Sequence, residues 1–137
     1  MRRAVIALGS NLGQREEHLE RALSALDALA GTKVRAVSSL YETALGRVRS
    51  FRNAPRTIDL ALLVMEGEES SDPELFLPHP RMGERGFVLA PLRDLFPAGK
   101  IFGWDFAEEM RTVSYFGVSR VENANFKKIF EKFRKRG

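Results

Sequence analysis

The sequence contains no cysteine, which excludes disulfides, zinc–thiolate sites, iron–sulfur clusters and thiol nucleophiles. It has only two histidines, His18 and His79, too few for a histidine-rich metal site, so carboxylates would have to supply any metal ligands. The N-terminal apolar run, residues 4–8, is far shorter than the roughly 20 residues of a membrane span and shorter than the core of a secretory signal. We therefore expect a cytoplasmic protein without a membrane span.

The residues that are present are typical of one small soluble domain. Of the 137 residues, 44% are hydrophobic and 29% are charged, and a chain of this length can bury a core without a disulfide or a structural metal. The net charge of +4 lies in the tail: residues 121–137 carry six Lys or Arg against Glu122 and Glu131, whereas the other 120 residues carry 16 basic and 16 acidic groups. The basic tail therefore accounts for the whole excess.

The hydrophobic pattern predicts alternating strands and helices in the first two thirds of the chain. Residues 4–8 and 33–43 indicate strands, and 57–65 indicates a strand buried on both faces. Residues 16–29 have the spacing of an amphipathic helix, which Gly31 would end. A further helix is predicted from about Phe87 to Phe96, with Pro91 marking a kink or an early start.

The last third of the chain gives a weaker pattern. The residues from Trp104 onward favour a helix, and residues 114–119 give no clear signal. A final helix would place four apolar side chains on one face, namely Phe126, Ile129, Phe130 and Phe133.

An arginine-rich loop is the most informative local feature. Residues 46–56 hold no acid and four arginines: Arg47, Arg49, Arg52 and Arg56. Gly, Asn and Pro within the same segment oppose regular structure. Guanidinium groups bind phosphate oxygens bidentately, so such a loop suits a polyphosphate whose charge migrates during a reaction. A solvated basic loop explains the composition equally well.

Asp59 interrupts the apolar strand at 57–65. An unpaired carboxylate is costly to bury, so a magnesium ion or Arg56 would have to accompany it. Ala61, two residues on and on the same face of the strand, cannot supply a second carboxylate. A lone strand aspartate is more often ion-paired or at an edge than a metal ligand.

Two further segments could contact an anion. The turn at 9–13 joins a strand to a helix and could present backbone amides, although an ordinary turn explains it as well. His79 lies between two prolines and could donate a hydrogen bond to phosphate; a structural histidine is the equal alternative.

Taken in order, these segments resemble the 6-hydroxymethyl-7,8-dihydropterin pyrophosphokinases of folate biosynthesis. Four stretches carry the resemblance: Ala7-Leu8-Gly9-Ser10-Asn11-Leu12-Gly13, Val37-Ser38-Ser39-Leu40-Tyr41-Glu42-Thr43, Gly46-Arg47-Val48-Arg49 through Asn53-Ala54-Pro55-Arg56-Thr57-Ile58-Asp59-Leu60, and Pro78-His79-Pro80-Arg81-Met82 through Arg85-Gly86-Phe87-Val88-Leu89-Ala90-Pro91-Leu92. Each stretch alone is weak, but four in family order are specific.

The resemblance implies transfer of pyrophosphate from ATP to 6-hydroxymethyl-7,8-dihydropterin, with Mg²⁺ on the triphosphate and AMP as a product. It assigns catalysis to Arg47 and Arg56, and Asp59 to the metal. It assigns ATP binding to Arg49, His79 and Arg85, and the pterin pocket to Thr43 and Phe87. The implied fold is a ferredoxin-like α+β sandwich with an antiparallel sheet.

The sequence departs from the family pattern at three places. Ala61 replaces the second metal-binding aspartate, so Glu66 or water would have to substitute for it. The chain runs from Thr43 into Gly46 where the family inserts a strand and a helix, so we expect the fold to lack both. Asn53 replaces an aromatic residue that some members have beside the substrate.

These observations predict a pyrophosphokinase-like domain at 1–100 and a basic, partly helical C-terminal extension at 101–137. A non-catalytic relative that binds nucleotide or pterin is the first alternative. The second is a basic module whose C-terminal helix docks on nucleic acid, a membrane surface or an acidic protein, although simple packing of that helix on the core is favoured and nucleic acid is not expected. A homo-oligomer stays open.

Overall fold

The computed structural model describes residues 2–10, 15–43, 59–122, 128 and 131–133. Within these ranges the α-helices with defined limits are α1 (Arg15–Ala28), α2 (Gly86–Leu95) and α3 (Ala107–Thr112), and residues 128 and 131–133 are helical as well. The strands are β1 (Ala4–Gly9), β2 (Leu40–Thr43), β3 (Asp59–Met65), β4 (Ser70–Asp72), β5 (Leu75–Leu77), β6 (Lys100–Ile101), β7 (Trp104–Asp105) and β8 (Val118–Val121). Helices combined with antiparallel strand pairs make this an α+β protein, as predicted.

Strands β1 and β3 form the central antiparallel pair. Their register places Gly9 opposite Asp59 at one end and Ala4 opposite Met65 at the other. Helix α1 follows β1 and ends within one residue of the predicted limit, and Gly31 adopts the left-handed φ of 75° in the turn beyond it. The patterns at 4–8, 16–29 and 57–65 therefore predicted these three elements correctly, apart from 57 and 58, which lie outside the described residues.

An ion pair joins the far ends of this strand pair. The Arg3 guanidinium donates to Glu66 Oε2 at 2.8 Å, and the Arg3 backbone N–H donates to Glu66 Oε1 at 3.0 Å. These two donors lower the pKa of the Glu66 carboxyl from 4.5 to about 2. Arg2 and Glu68 form a second ion pair next to it. The arrangement connects the residues just before β1 to the turn that follows β3.

The Arg3–Glu66 contact predicts a pH-dependent contribution to stability. Because the pKa of Glu66 is lower in the folded than in the unfolded chain, its contribution is complete above pH 4.5 and is lost as the pH falls towards 2. Urea unfolding should therefore find wild type more stable than Glu66→Gln at pH 7 and equally stable near pH 2. The exposed Glu69→Gln serves as the control, and a difference that persists at pH 2 would contradict the prediction.

Strand β8 pairs with β2, which the sequence did not predict. Leu40 lies opposite Val121 and Thr43 opposite Val118 in an antiparallel register. Only residues 40–43 of the predicted strand 33–43 belong to a paired strand, and β8 lies partly in the segment 114–119 that gave no signal. The pairing joins positions about 78 residues apart, which local patterns do not report.

The main core lies between the β1–β3 pair and α2. Its most buried members are Val64, Leu89 and Ile101, none of which exposes any surface. Helix α2 begins one residue before the predicted start and continues through Pro91 to Leu95. The last third of the chain takes part in this core, since Met110 of α3 is 6% exposed.

The tail differs from its predicted structure at one point and agrees at another. The helix predicted from Trp104 is wrong there, because β6 and β7 form a hairpin and α3 begins only at Ala107. Phe133 is 1% exposed and packs against Leu23 of α1, as the packing interpretation of the last helix requires. Phe126, Ile129 and Phe130 lie outside the described residues.

None of the helices in the described ranges is both long enough and apolar enough to cross a membrane.

Candidate functional site

One cavity of about 600 Å³ opens between β1, β2, β3 and α2. Every residue of 5–10 and of 36–43 lines it. Because successive side chains of a strand point to opposite faces, a cavity lined by all of residues 5–9 of β1 lies along the edge of that strand. The edge of β1 away from β3 and the segment leading into β2 therefore form two of its walls.

The cavity combines an apolar floor with a polar rim. Its buried floor residues belong to the two hydrophobic clusters: Val5, Leu23, Leu63, Met82, Val88 and Leu92. Its polar and charged lining residues are Ser10, Glu16, Ser38, Ser39, Tyr41, Glu42, Thr43, Asp59, His79 and Arg85. An apolar pocket of this volume with converging polar groups is the usual form of a small-molecule site.

Five of the eight predicted site residues line this cavity: Thr43, Asp59, His79, Arg85 and Phe87. They come from β2, β3, the segment after β5 and the first turn of α2. Arg47, Arg49 and Arg56 lie outside the described residues. The fold thus brings together residues that are up to 44 positions apart in the sequence.

Asp59 stands at the rim and not in the interior. It is the first residue of β3 and is exposed, as is Leu60, whereas Leu63 and Val64 are buried. The prediction of a strand buried on both faces is therefore wrong for its first residues, because this end of β3 borders the open cavity. Burial does not require a partner for Asp59, although the structure gives it one or more interactions. Ala61 lines the same cavity and puts a methyl group on the face that Asp59 occupies.

Glu66 cannot act as a second ligand beside Asp59. The two carboxylates lie at opposite ends of a strand that is roughly 20 Å long, and Arg3 holds Glu66. Among the residues that the structure describes, no three His, Asp or Glu side chains are grouped closely enough to hold a metal ion. The carboxylates that line the cavity among the described residues are those of Glu16, Glu42 and Asp59.

His79 lines the cavity, and the hydrogen bonds around it indicate which ring nitrogen carries the proton. Its backbone N–H donates to the Leu63 carbonyl at 2.8 Å, and the Arg81 backbone N–H donates to its Nδ1 at 3.3 Å. A neutral ring that accepts at Nδ1 carries its proton on Nε2. Burial, and then the charges of Arg85 and Arg81, lower the pKa of His79, so the ring is neutral at pH 7. It can donate a hydrogen bond without adding charge.

Arg85 and Phe87 occupy the start of α2. The Arg85 guanidinium carbon lies 5.8 Å from the centre of the Phe87 ring. Phe87 is 49% exposed and lines the cavity. Arg85 lies at the N-terminus of α2, so an anion bound to its guanidinium would also interact with the positive end of the helix dipole. The pair offers a charged group for phosphate and a ring face for a planar heterocycle.

The wall that carries Thr43 is fixed to α2 through Asp94. The Asp94 carboxylate accepts hydrogen bonds from the Ser39 backbone N–H at 3.0 Å and from the Tyr41 hydroxyl at 3.0 Å. Burial, and then this contact, raises the pKa of Tyr41. Asp94 carried no sequence signal, because its partners lie more than 50 residues earlier in the chain.

Three other lining residues were missed by the sequence patterns. Ser10 belongs to the turn that was considered for anion binding, and its Oγ lies 3.4 Å from His18 Nδ1. Glu42 adjoins Thr43 within a stretch that had been noted without a role for this residue. Val118 of β8 had no signal at all, since only the β2–β8 pairing brings it to the cavity.

Comparison with known proteins gives one consistent result. The family model described as 7,8-dihydro-6-hydroxymethylpterin-pyrophosphokinase matches residues 5–45 and 42–97. The chain is 37% identical over 128 residues to the 2-amino-4-hydroxy-6-hydroxymethyldihydropteridine pyrophosphokinase of Bacillus subtilis, an alignment that covers 67% of this chain and 77% of that protein.

Two other relatives carry the same description. The protein from Methylorubrum extorquens is 34% identical over 158 residues, with 89% of this chain and all of that protein covered. The protein from Pseudomonas aeruginosa is 32% identical over 162 residues, with 90% of this chain and 99% of that protein covered. All five cavity residues named from the sequence fall inside the matched segments, whereas β8 follows them.

Proposed function

The chain belongs to the 7,8-dihydro-6-hydroxymethylpterin-pyrophosphokinase family, and we propose that it transfers pyrophosphate from ATP to 6-hydroxymethyl-7,8-dihydropterin in folate biosynthesis. The observation that carries the proposal is the convergence of Thr43, Asp59, His79, Arg85 and Phe87 on one cavity. In this reaction the pterin hydroxyl oxygen attacks the β-phosphorus of ATP. The bond between that phosphorus and the oxygen bridging to the α-phosphate breaks, and AMP leaves.

The pterin would lie between Thr43 and Phe87. The exposed Phe87 ring offers a face on which a flat heterocycle can stack, and the Thr43 hydroxyl can donate or accept a hydrogen bond. The apolar floor of the cavity would cover the remaining ring surface. Thr43 and Phe87 therefore hold the pterin so that its own hydroxyl group stays in position to accept the pyrophosphate.

The basic residues would hold the nucleotide. Arg85 can bind phosphate oxygens bidentately, and His79 can donate from Nε2 without changing the charge of the site. Arg49 is proposed to join them at the nucleotide, and Arg47 and Arg56 to stabilise the pyrophosphate as it transfers. Positioning and charge stabilisation provide most of the catalysis in phosphoryl transfer, and arginines supply both.

Asp59 is proposed to hold Mg²⁺ at the triphosphate. One carboxylate fits this role, because Mg²⁺ keeps several waters and is commonly bound by one or two carboxylates together with substrate phosphates. The ion would neutralise charge that develops on the phosphate oxygens. Asp59 is exposed at the cavity rim, where a bound triphosphate can reach it.

A relative that binds nucleotide or pterin without efficient transfer is the second candidate, and Ala61 favours it. The methyl group of Ala61 lines the cavity on the side of Asp59, where a second carboxylate would strengthen a metal site. The basic docking module receives no such support, since Phe133 is buried against Leu23.

Ala61→Asp tests this point directly. The added carboxylate should raise the Mg²⁺-dependent affinity for a non-hydrolysable ATP analogue by about 10-fold, because a second ligand joins Asp59 on one face of β3. Isothermal titration with and without Mg²⁺ measures the change. Ala61→Asn adds similar volume without charge and should give little gain. An unchanged affinity in Ala61→Asp would show that no metal binds beside Asp59.

The proposed function itself is tested by AMP release. Purified protein with ATP, Mg²⁺ and 6-hydroxymethyl-7,8-dihydropterin should form AMP and the pyrophosphorylated pterin in equal amounts. Binding of both substrates without AMP would favour the second candidate. Absence of binding to either would overturn the proposal.

We further propose a ferredoxin-like sheet that lacks one strand and one helix. The family model matches in two segments that meet at 42–45, and the 128-residue alignment with the Bacillus protein uses about 92 residues of this chain, so about 36 positions have no counterpart. The proposed division assigns the eight site residues named from the sequence to 1–100 and the basic tail to 101–137. A cytoplasmic location is proposed with it, and the oligomeric state can be measured by light scattering.

A further inference from the structure

Strand β8 contributes to the cavity although it lies beyond the segments that match the family model. The matched segments end at residue 97, and β8 spans Val118–Val121. Both Val118 and Val121 line the cavity. A part of the chain that carries no family motif therefore forms part of the proposed substrate site.

The register places Val118 next to Thr43. The two residues are directly opposite in the antiparallel β2–β8 pair. Directly opposite residues point to the same face of a sheet, with Cβ atoms about 4.5–5.5 Å apart. Thr43 and Val118 thus share one face of the β2–β8 pair, and both residues line the cavity.

The structure holds β8 in this position by contacts on both sides of it. The Arg120 guanidinium donates to Ser39 Oγ at 2.7 Å, which adds a side-chain bond to the strand pairing. Before the strand, the Tyr115 hydroxyl donates to the Met110 carbonyl at 2.5 Å, and the Arg93 guanidinium carbon lies 4.2 Å from the Tyr115 ring centre. The approach to β8 is thus anchored to α2 and α3.

We propose that β8 forms one wall of the pterin pocket and that Val118 sets the space beside Thr43 that the heterocycle must fit. This inference rests on the proposed function, because it assigns a specificity residue to the same site. A branched apolar side chain at this position contacts a planar ring without offering a polar group. The nucleotide lies with His79 and Arg85, which belong to other elements, so Val118 acts on the pterin alone.

The test compares Val118→Phe with Ser119→Phe. Both add the same ring to β8, but Ser119 is exposed, is not a lining residue and points to the opposite face. Titration with 6-hydroxymethylpterin, at saturating non-hydrolysable ATP analogue and Mg²⁺, should show at least about a 10-fold loss of affinity in Val118→Phe and less than about a twofold change in Ser119→Phe. Affinity for the ATP analogue alone should change by less than about twofold in both variants.

A smaller side chain supplies the second measurement. Val118→Ala removes contacts without blocking the pocket, so its pterin affinity should fall by about threefold with the thermal midpoint of unfolding preserved within a few degrees. If Val118→Phe and Val118→Ala both bind the pterin as wild type does, the assignment of Val118 is wrong while the proposed function stands. If wild type binds ATP but no pterin, or binds neither, the proposed function and this inference fail together. Equal losses of pterin and ATP affinity in Val118→Phe would indicate a general disturbance of the fold and would also overturn the assignment.

Discussion

Asp59→Asn is expected to reduce AMP release by about 100-fold or more, while the protein keeps its stability. Asparagine has the size of aspartate and retains one carbonyl oxygen, but it removes the negative charge that a magnesium ion requires. Because Asp59 is exposed at the first residue of β3, the change leaves the buried part of the strand intact. The loss should therefore appear in catalysis and in Mg²⁺-dependent ATP binding, and not in the unfolding transition.

The measurement separates the metal from the other phosphate contacts. ATP affinity in EDTA should not fall in Asp59→Asn, because Arg85 and His79 do not depend on the ion and, without the ion, the carboxylate of Asp59 repels the triphosphate. With Mg²⁺, only wild type should gain affinity. Glu69→Gln, which neutralises an exposed carboxylate outside the cavity, should match wild type in every assay. Full AMP release in Asp59→Asn would remove this residue from the mechanism.

Gly86→Ala should lower the free energy of unfolding by about 3 kcal/mol. A Cβ atom at Gly86 would lie 2.2 Å from the Ser114 carbonyl oxygen and 3.1 Å from the Tyr115 Cα. Both are backbone atoms, so they cannot rotate away, and α2 would have to move from the segment that leads into β8. Urea unfolding monitored by the fluorescence of the single tryptophan measures the change.

Gly83→Ala is the matched control for this prediction. Its added Cβ would lie 3.2 Å from Glu109 Cγ, which belongs to a long side chain that can shift. The expected loss is below about 1 kcal/mol. Equal stability of Gly86→Ala and Gly83→Ala would mean that the contact between α2 and Ser114 relaxes without cost.

Local patterns succeeded where each residue's neighbours in the sequence decided its structure. The apolar spacing over 16–29, the turn at Gly31 and the start of α2 are short-range properties, and the structure agrees with them to within one residue. The same reasoning failed at Trp104, where the hairpin of β6 and β7 replaced a predicted helix. It also overestimated the burial of Asp59 and Leu60, because the pattern of a strand does not show that a cavity borders one of its ends.

The sequence by itself determined the residue types of the site and their order, and with them the family. Asp59 and His79 could be named from their sequence context, and Thr43, Arg85 and Phe87 from the resemblance to the family, all without coordinates. Only the tertiary structure decided that they share one cavity, that Glu66 is held by Arg3 at the far end of β3, and that Val118 faces Thr43. The physical reason is that strand pairing and helix packing join residues of distant sequence position through backbone hydrogen bonds and burial, which no local pattern records.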